Sequence, residues 1–179
     1  MRKPAKLPYA SMLRASAHSY LLLPIYANNT MRLTLAQIMP ALFIVQLVGF
    51  ISTIFLGALS DKLGSKKILL ATIIIWIISI IMLYYGNSII MFYIVAVTAG
   101  FAIGSSQAIA RSWLSRMIPL ENRSQFFGFN GFATKIAATA GPLLFGIVSV
   151  STGSQRIALL SIIALFVISF ILFLFVKEK

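Results

Sequence analysis

Residues 129–146, FNGFATKIAATAGPLLFG, are apolar enough for a membrane except for Lys135 near their centre. A charged residue at the middle of a bilayer costs at least ~2.5 kcal/mol on insertion scales. At helical spacing Lys135 shares a stripe with small or weakly polar residues, which are Gly128, Gly131, Ala138, Thr139, Pro142 and Gly146. Such a stripe packs against protein or borders water, so Lys135 is predicted to face a solute cavity. A lysine whose long stem reaches the membrane surface is the alternative.

Lys135 needs an anionic partner, and the sequence offers no acid at its depth. The three acids are Asp61, Glu121 and Glu178, and each falls at one predicted edge of the membrane. We therefore expect the lysine to bind an anionic group of a solute or of a partner helix outside this chain.

Two further stripes combine small residues with an amide. One holds Gln46, Gly49, Thr53, Gly57 and Ser60, and the other holds Ala96, Gly100, Gly104, Gln107 and Arg111. Gln46, Gln107 and Asn130 join Lys135 as predicted cavity residues, while Arg111 and Arg116 are predicted as basic residues of the cytoplasmic edge. Small residues let helices approach closely in lipid, and the predicted packing positions are Gly100, Gly104, Gly131, Gly141 and Pro142. A tightly packed bundle without a cavity would show the same glycine spacing.

The composition places the chain in a lipid bilayer. Of its 179 residues, 60% are hydrophobic and 10% charged, with a mean hydropathy of +0.98, and the apolar residues come in long blocks. The net charge is +12, but the Lys and Arg residues cluster in short loops, which argues against nucleic-acid binding. With no cysteine, one histidine and three scattered acids, no enzyme site, metal site or cofactor is expected.

Five blocks are long enough to cross about 30 Å of hydrocarbon. They are Ala36–Leu59, Ile68–Tyr85, Ile89–Arg111, Phe126–Val150 and Arg156–Val176. The predicted fold is an all-α membrane protein in which residues 36–179 form a five-helix transmembrane bundle. Residues 1–35 form an N-terminal segment whose apolar stretch, SAHSYLLLPIYANN, predicts a partial or damaged sixth helix. The second and fifth blocks are apolar nearly all round and suit lipid-facing positions.

Loop charge predicts the orientation of these blocks. Basic residues follow the first block, the third block and the fifth, and they are Lys62, Lys66, Lys67, Arg116, Arg123, Lys177 and Lys179. All lie on one side if every block crosses once, so the loop around residue 64 and the C-terminus are predicted to be cytoplasmic. The N-terminal segment is also basic, although five crossings would put it outside, and its side stays open.

The first of these loops carries a specific motif. Its residues follow the pattern G-x-x-x-D-[RK]-x-G-x-[RK]-[RK], with Gly57, Asp61, Lys62, Gly64, Lys66 and Lys67 at the six defining positions. Gly57 can allow close helix packing, Gly64 can turn the loop, and Asp61 can accept from a helix N-terminus or a basic side chain. This loop resembles the signature loop of the major facilitator superfamily, where it acts as a conformational latch between transporter halves.

A longer resemblance extends from about Ile25 to Val176, and residues 104–146 carry it most clearly. The segments GSSQAIARS, RMIP, QFFGF and KIAATAGPLLFG are similar to the C-terminal half of transporters related to the yeast vacuolar amino-acid effluxer and its bacterial relatives. The resemblance implies that the five blocks are helices eight to twelve of a twelve-helix major-facilitator fold. It also implies a bacterial inner-membrane protein that moves amino acids or similar metabolites.

Three functions fit this half-fold. The first is half of a secondary transporter that moves a small solute by alternating access, with a separate N-terminal half or a second copy as its partner. The second is a truncated, non-transporting remnant, and the third is a small membrane scaffold that interacts through its bundle. Helices one to six have no counterpart in the sequence.

Overall fold

The computed structural model describes residues 22–118, 121 and 123–175. The helices are α1 (Leu22–Asn29), α2 (Leu35–Leu63), α3 (Ser65–Tyr85), α4 (Ile89–Met117), α5 (Arg123–Thr152) and α6 (Gln155–Leu174). The five from α2 to α6 are long and apolar enough to cross a membrane, which confirms the predicted five-helix, all-α fold. The 29-residue helices α2 and α4 are about 43 Å long, so they extend beyond the hydrocarbon and past the predicted blocks.

The short connections follow from local chemistry. Thr34 and Gln37 form a capping box at the start of α2, and the Ser88 side chain accepts from the Met91 amide at 3.2 Å at the start of α4. Gly64 is the single residue between α2 and α3, and its φ of +93° lies in the region that favours glycine. The pairs α2–α3, α3–α4 and α5–α6 are therefore tightly linked antiparallel neighbours.

Helices α2 and α4 touch through their backbones. A Cβ atom added to Gly104 would lie 1.9 Å from the Gly49 carbonyl oxygen, and one added to Gly100 would lie 2.7 Å from the Val45 carbonyl oxygen. No side chain fits at this crossing, because an added methyl group would overlap the facing helix. The glycines at these positions let the two helices approach to backbone contact, as small residues do in membranes.

Helices α3 and α6 hold much of the apolar core. Trp76 of α3 stacks on Phe166 of α6 with ring centroids 5.4 Å apart, and Trp113 of α4 meets Phe173 of α6 at the same separation. Both helices also expose apolar side chains on their other faces, Ile78 and Ile168 among them. Each of the two helices thus has one face in the core and one exposed apolar face. The sequence predicts lipid-facing positions for both. The polar-faced α5 packs chiefly on α6 and leaves most of its surface exposed.

The short helix α1 lies on the same core at the end of the bundle opposite Gly64. Tyr26 is fully buried and its hydroxyl donates to the Leu83 carbonyl oxygen at 3.3 Å, while the Thr30 hydroxyl donates to Gln155 Oε1 at 2.8 Å. Arg156 donates to Asn87 Oδ1 beside these contacts. The partial helix predicted within residues 1–35 corresponds in part to α1, and residues 1–21 lie outside the described residues.

The glycine crossing gives a first prediction. Gly104→Ala should destabilise the solubilised protein by roughly 1–3 kcal/mol, because its methyl group would force α2 and α4 apart. Gly57→Ala is the matched control, since a Cβ atom at Gly57 of α2 meets no atom within 4 Å. Thermal unfolding in detergent measures both. Equal thermal-unfolding midpoints for the two variants would contradict the backbone contact between α2 and α4.

Candidate functional site

An open cleft of about 440 Å³ lies beside the crossing of α2 and α4. Its walls are Gln46, Gly49, Phe50 and Thr53 from α2, and Ile103, Gly104, Gln107, Ala108 and Arg111 from α4. The cleft follows from the glycines, because Gly49 and Gly104 bring the backbones together without filling the space beside them. Further along α2, the next glycine, Gly57, borders open space.

The cleft presents hydrogen-bonding groups that the chain itself leaves unused. Thr53 Oγ1 donates to the Gly49 carbonyl oxygen at 2.8 Å and keeps its acceptor capacity. Gln46, Gln107 and Arg111 have no hydrogen-bond or ion-pair partner among the described residues. Two amides and one guanidinium are therefore available to a molecule in the cleft.

The polar groups of α4 lie at different depths. At a rise of about 1.5 Å per residue, Gln107 is about 6 Å from the midpoint of α4 and Arg111 is about 12 Å from it, both toward the predicted cytoplasmic end. Arg111 and Gln107 are four residues apart and so lie one above the other on the same face. The sequence placed Arg111 at the membrane edge, and the structure makes it part of the cleft wall.

Lys135 lies elsewhere. It is in α5, about 4 Å from the helix midpoint, and its side chain is exposed and does not line the cleft. No acid pairs with it among the described residues. The predicted stripe around it includes Gly131, where a Cβ atom would meet nothing within 4 Å, so the packing expected at Gly131 is not seen against any described residue.

Asn130, another predicted cavity residue, does not line the α2–α4 cleft. It is 2% exposed, and its Oδ1 atom has no hydrogen-bond partner among the described residues. Five residues correspond to about 140° around a helix, so Asn130 and Lys135 point in different directions. The remaining predicted packing positions of α5 lie inside the helix, where Gly141 is buried and Pro142 half-buried.

Hydrogen bonds of the motif residues connect the end of α2 to the end of α4, and the start of α3 to the end of α6. Arg116 Nη2 at the end of α4 donates to Asp61 Oδ1 at the end of α2, with 2.5 Å between the two atoms. Lys66 Nζ donates to the Leu174 carbonyl oxygen in the last turn of α6 at 3.0 Å, while Lys62 and Lys67 are exposed. Asp61 thus accepts a hydrogen bond from a basic side chain, which is one of the two kinds of partner expected from its motif, and that side chain is Arg116.

Sequence reasoning missed some residues of this region. Phe50 lines the cleft and follows Gln46 by four residues. Residues four apart share a helix face, so the spacing that grouped Gln46 with Thr53 could also have predicted Phe50. No such rule links Asp61 to Arg116, which are 55 residues apart. Within the described ranges no three His, Cys, Asp or Glu side chains gather as metal ligands would.

Residues 10–179 match the sequence profile of the Major Facilitator Superfamily. The chain belongs to this superfamily. It is 32% identical over 138 residues to the uncharacterized MFS-type transporter YxiO of Bacillus subtilis. The aligned region covers 77% of this chain and 32% of that protein. It is 34% identical over 92 residues to the class H tetracycline resistance protein of Pasteurella multocida. That alignment covers 51% of this chain and 23% of the relative.

A more distant relative is autophagy-related protein 22 of Cryptococcus neoformans, 24% identical over 160 residues, or 80% of this chain and 28% of that protein. The chain therefore spans about a third or less of the length of the curated relatives it matches. For a major facilitator, five consecutive spans with a polar, open α2–α4 face correspond to half of the fold.

The exposed Asp61–Arg116 pair gives a second prediction. The side chains are 62% and 56% exposed, so Asp61→Asn should change the unfolding free energy by no more than about 1 kcal/mol and leave membrane insertion unchanged. A double-mutant cycle with Arg116→Gln, read by thermal unfolding, isolates the pair. A coupling above about 2 kcal/mol would show that Asp61 is bonded far more strongly than an exposed pair allows.

Proposed function

We propose that this chain supplies one half of the solute pathway of a secondary transporter that works by alternating access. The open cleft between α2 and α4 carries the proposal, since its two amides and its guanidinium lie within the span of a transmembrane helix and have no partner in the described chain. Superfamily membership and relatives named as transporters support it. The resemblance in residues 104–146 favours amino acids or similar metabolites as the solute.

The proposed location is a bacterial inner membrane, with the Gly64 turn and the C-terminal end of α6 in the cytoplasm. The basic loops support this orientation, because Lys and Arg concentrate on the cytoplasmic side of membrane proteins. The motif loop and the end of α6 lie together, since Lys66 bonds to the Leu174 carbonyl oxygen. Both ends therefore have to be on the same side.

The proposed partner is a six-helix half that carries acidic groups. A second copy of this chain would bring cations together across the open face, because Arg111 and Lys135 are both exposed and neither has an acid beside it in the described residues. Like charges at such a face are unfavourable at low dielectric. We propose that Lys135 binds either an acid of that partner or an anionic solute. The alternative is a lysine whose side chain extends to the membrane surface.

The aqueous pathway is tested with cysteines, which the native chain lacks. Gln107→Cys in the cleft should react with a water-soluble maleimide at least about tenfold faster than Ile78→Cys, because a thiol in lipid stays protonated and unreactive. Ile78 of α3 is the matched control, since its side chain is also exposed within a transmembrane span. The experiment uses the full chain in membrane vesicles.

Equal, slow labelling of the two cysteines would mean that lipid covers the cleft, and it would favour the non-transporting remnant or the scaffold. Two exposed sites report orientation in the same vesicles. Lys67→Cys should react from the cytoplasmic side and Ser151→Cys from the outer side. Labelling of Lys67→Cys from outside would overturn the orientation.

Lys135 provides a separate prediction. Lys135→Met should insert at least as well as the native chain, since it removes a charge from a transmembrane helix. If Lys135 faces a polar path, Lys135→Cys should react with the maleimide faster than Ile136→Cys, its exposed neighbour about 100° around the helix. Equal, slow reaction at both positions would identify Lys135 as a snorkelling residue.

A further inference from the structure

We infer that the α2–α4 cleft binds a small solute through a carboxylate, with Arg111 as the cation that receives it and Gln107 as the amide beside it. The inference deepens the proposed function and rests on it. It assigns the carboxylate of a solute in this cleft to Arg111, which the sequence had placed at the membrane edge, because Lys135 does not line the cleft.

Arg111 is the available cation of the cleft. It lines the cavity, its side chain is exposed, and it has no partner among the described residues. The nearby arginine of the same helix, Arg116, is already bonded to Asp61. Among the described residues no acid lines the cleft, so its described wall has a net positive charge and favours an anion.

The geometry of a guanidinium favours a planar oxyanion. Its N–H groups form a fork that matches the two oxygens of a carboxylate, and such charge-assisted pairs are stronger than neutral hydrogen bonds. A positively charged solute would meet this guanidinium with no acid to compensate it. The described wall of the cleft therefore favours an anionic solute over a purely cationic one.

Gln107 restricts the solute further. It lies one helical turn above Arg111 on the same face, so its amide can reach an atom close to the bound carboxylate. An amide both donates and accepts, which suits a hydroxyl, amino or keto group next to that carboxylate. Phe50 adds an apolar surface on the opposite wall. These features fit a small carboxylic acid with a polar group on the neighbouring carbon.

A lipid phosphate is the other oxyanion that could reach Arg111. The side chain lies about 12 Å from the midpoint of α4, and the hydrocarbon extends about 15 Å from the bilayer centre. Gln107 and Gln46 lie deeper, beyond the level of a headgroup, yet they line the same cavity. A soluble molecule accounts for all three polar side chains, whereas a headgroup accounts for Arg111 alone.

The test is equilibrium binding to the purified full chain in phosphatidylcholine nanodiscs. The probes are glycine, alanine, lactate, pyruvate and succinate, each compared with its own amide. At least one carboxylate should bind about tenfold more tightly than its amide, and Arg111→Gln should remove that preference. Arg111→Lys should restore part of it, since a point charge replaces the fork.

Lys67→Gln is the matched control, because it removes one exposed positive charge on the same side without touching the cleft. It should keep the carboxylate preference. The inference is overturned if no probe binds better than its amide, or if Arg111→Gln keeps the preference. It is also overturned if nanodiscs that contain the anionic lipid phosphatidylglycerol abolish the carboxylate preference of the native chain, since Arg111 is then a headgroup contact.

Failure of this inference differs from failure of the proposed function. If Gln107→Cys reacts rapidly with the maleimide but no carboxylate is preferred, the aqueous pathway stands and the solute class is wrong. If Gln107→Cys is unreactive, the pathway itself is absent.

Discussion

The backbone contact between α2 and α4 is the constraint on which the rest of the site depends. At Gly49 and Gly104 the two helices meet with no side chain between them. The same absence of side chains leaves the cleft beside the contact, so one set of glycines both joins the helices and creates the cavity. Any larger residue at Gly104 would separate the helices and change the cavity together with the packing.

The scarcity of acids gives the cavity its electrostatic character. The described chain pairs one acid, Asp61, and its partner is Arg116 at the end of the helix. Arg111, five residues earlier on the same membrane-spanning helix, has no anionic partner among the described residues. A cation within a membrane is costly unless water or an anionic group solvates it. On the proposed function, the open cleft gives water or an anion access to this side chain.

Much of the fold could be predicted from the sequence, because the bilayer imposes a length and a composition on each span. The glycine spacing also placed Gly100 and Gly104 correctly on the face of α4 that meets another helix. For Gly131 and Asn130 the same reasoning stays a prediction. A stripe shows which residues share a face of the helix, but it does not show which neighbouring element covers that face. The α5 stripe mixes exposed and half-buried residues, while Asn130 lies on a different, buried face.

The two apolar helices, α3 and α6, show a related limit of prediction from sequence. Lipid is as apolar as a protein core, so a helix such as α3 can bury Trp76 on one face and expose Ile78 on another without any difference in hydropathy. Hydropathy therefore locates a span in the membrane but not within the bundle. Polar and small residues carry that second kind of information, since only they are penalised by lipid or permit close contact. The α2–α4 cleft is the place where both kinds coincide, and two of the predicted cavity residues, Gln46 and Gln107, lie in its wall.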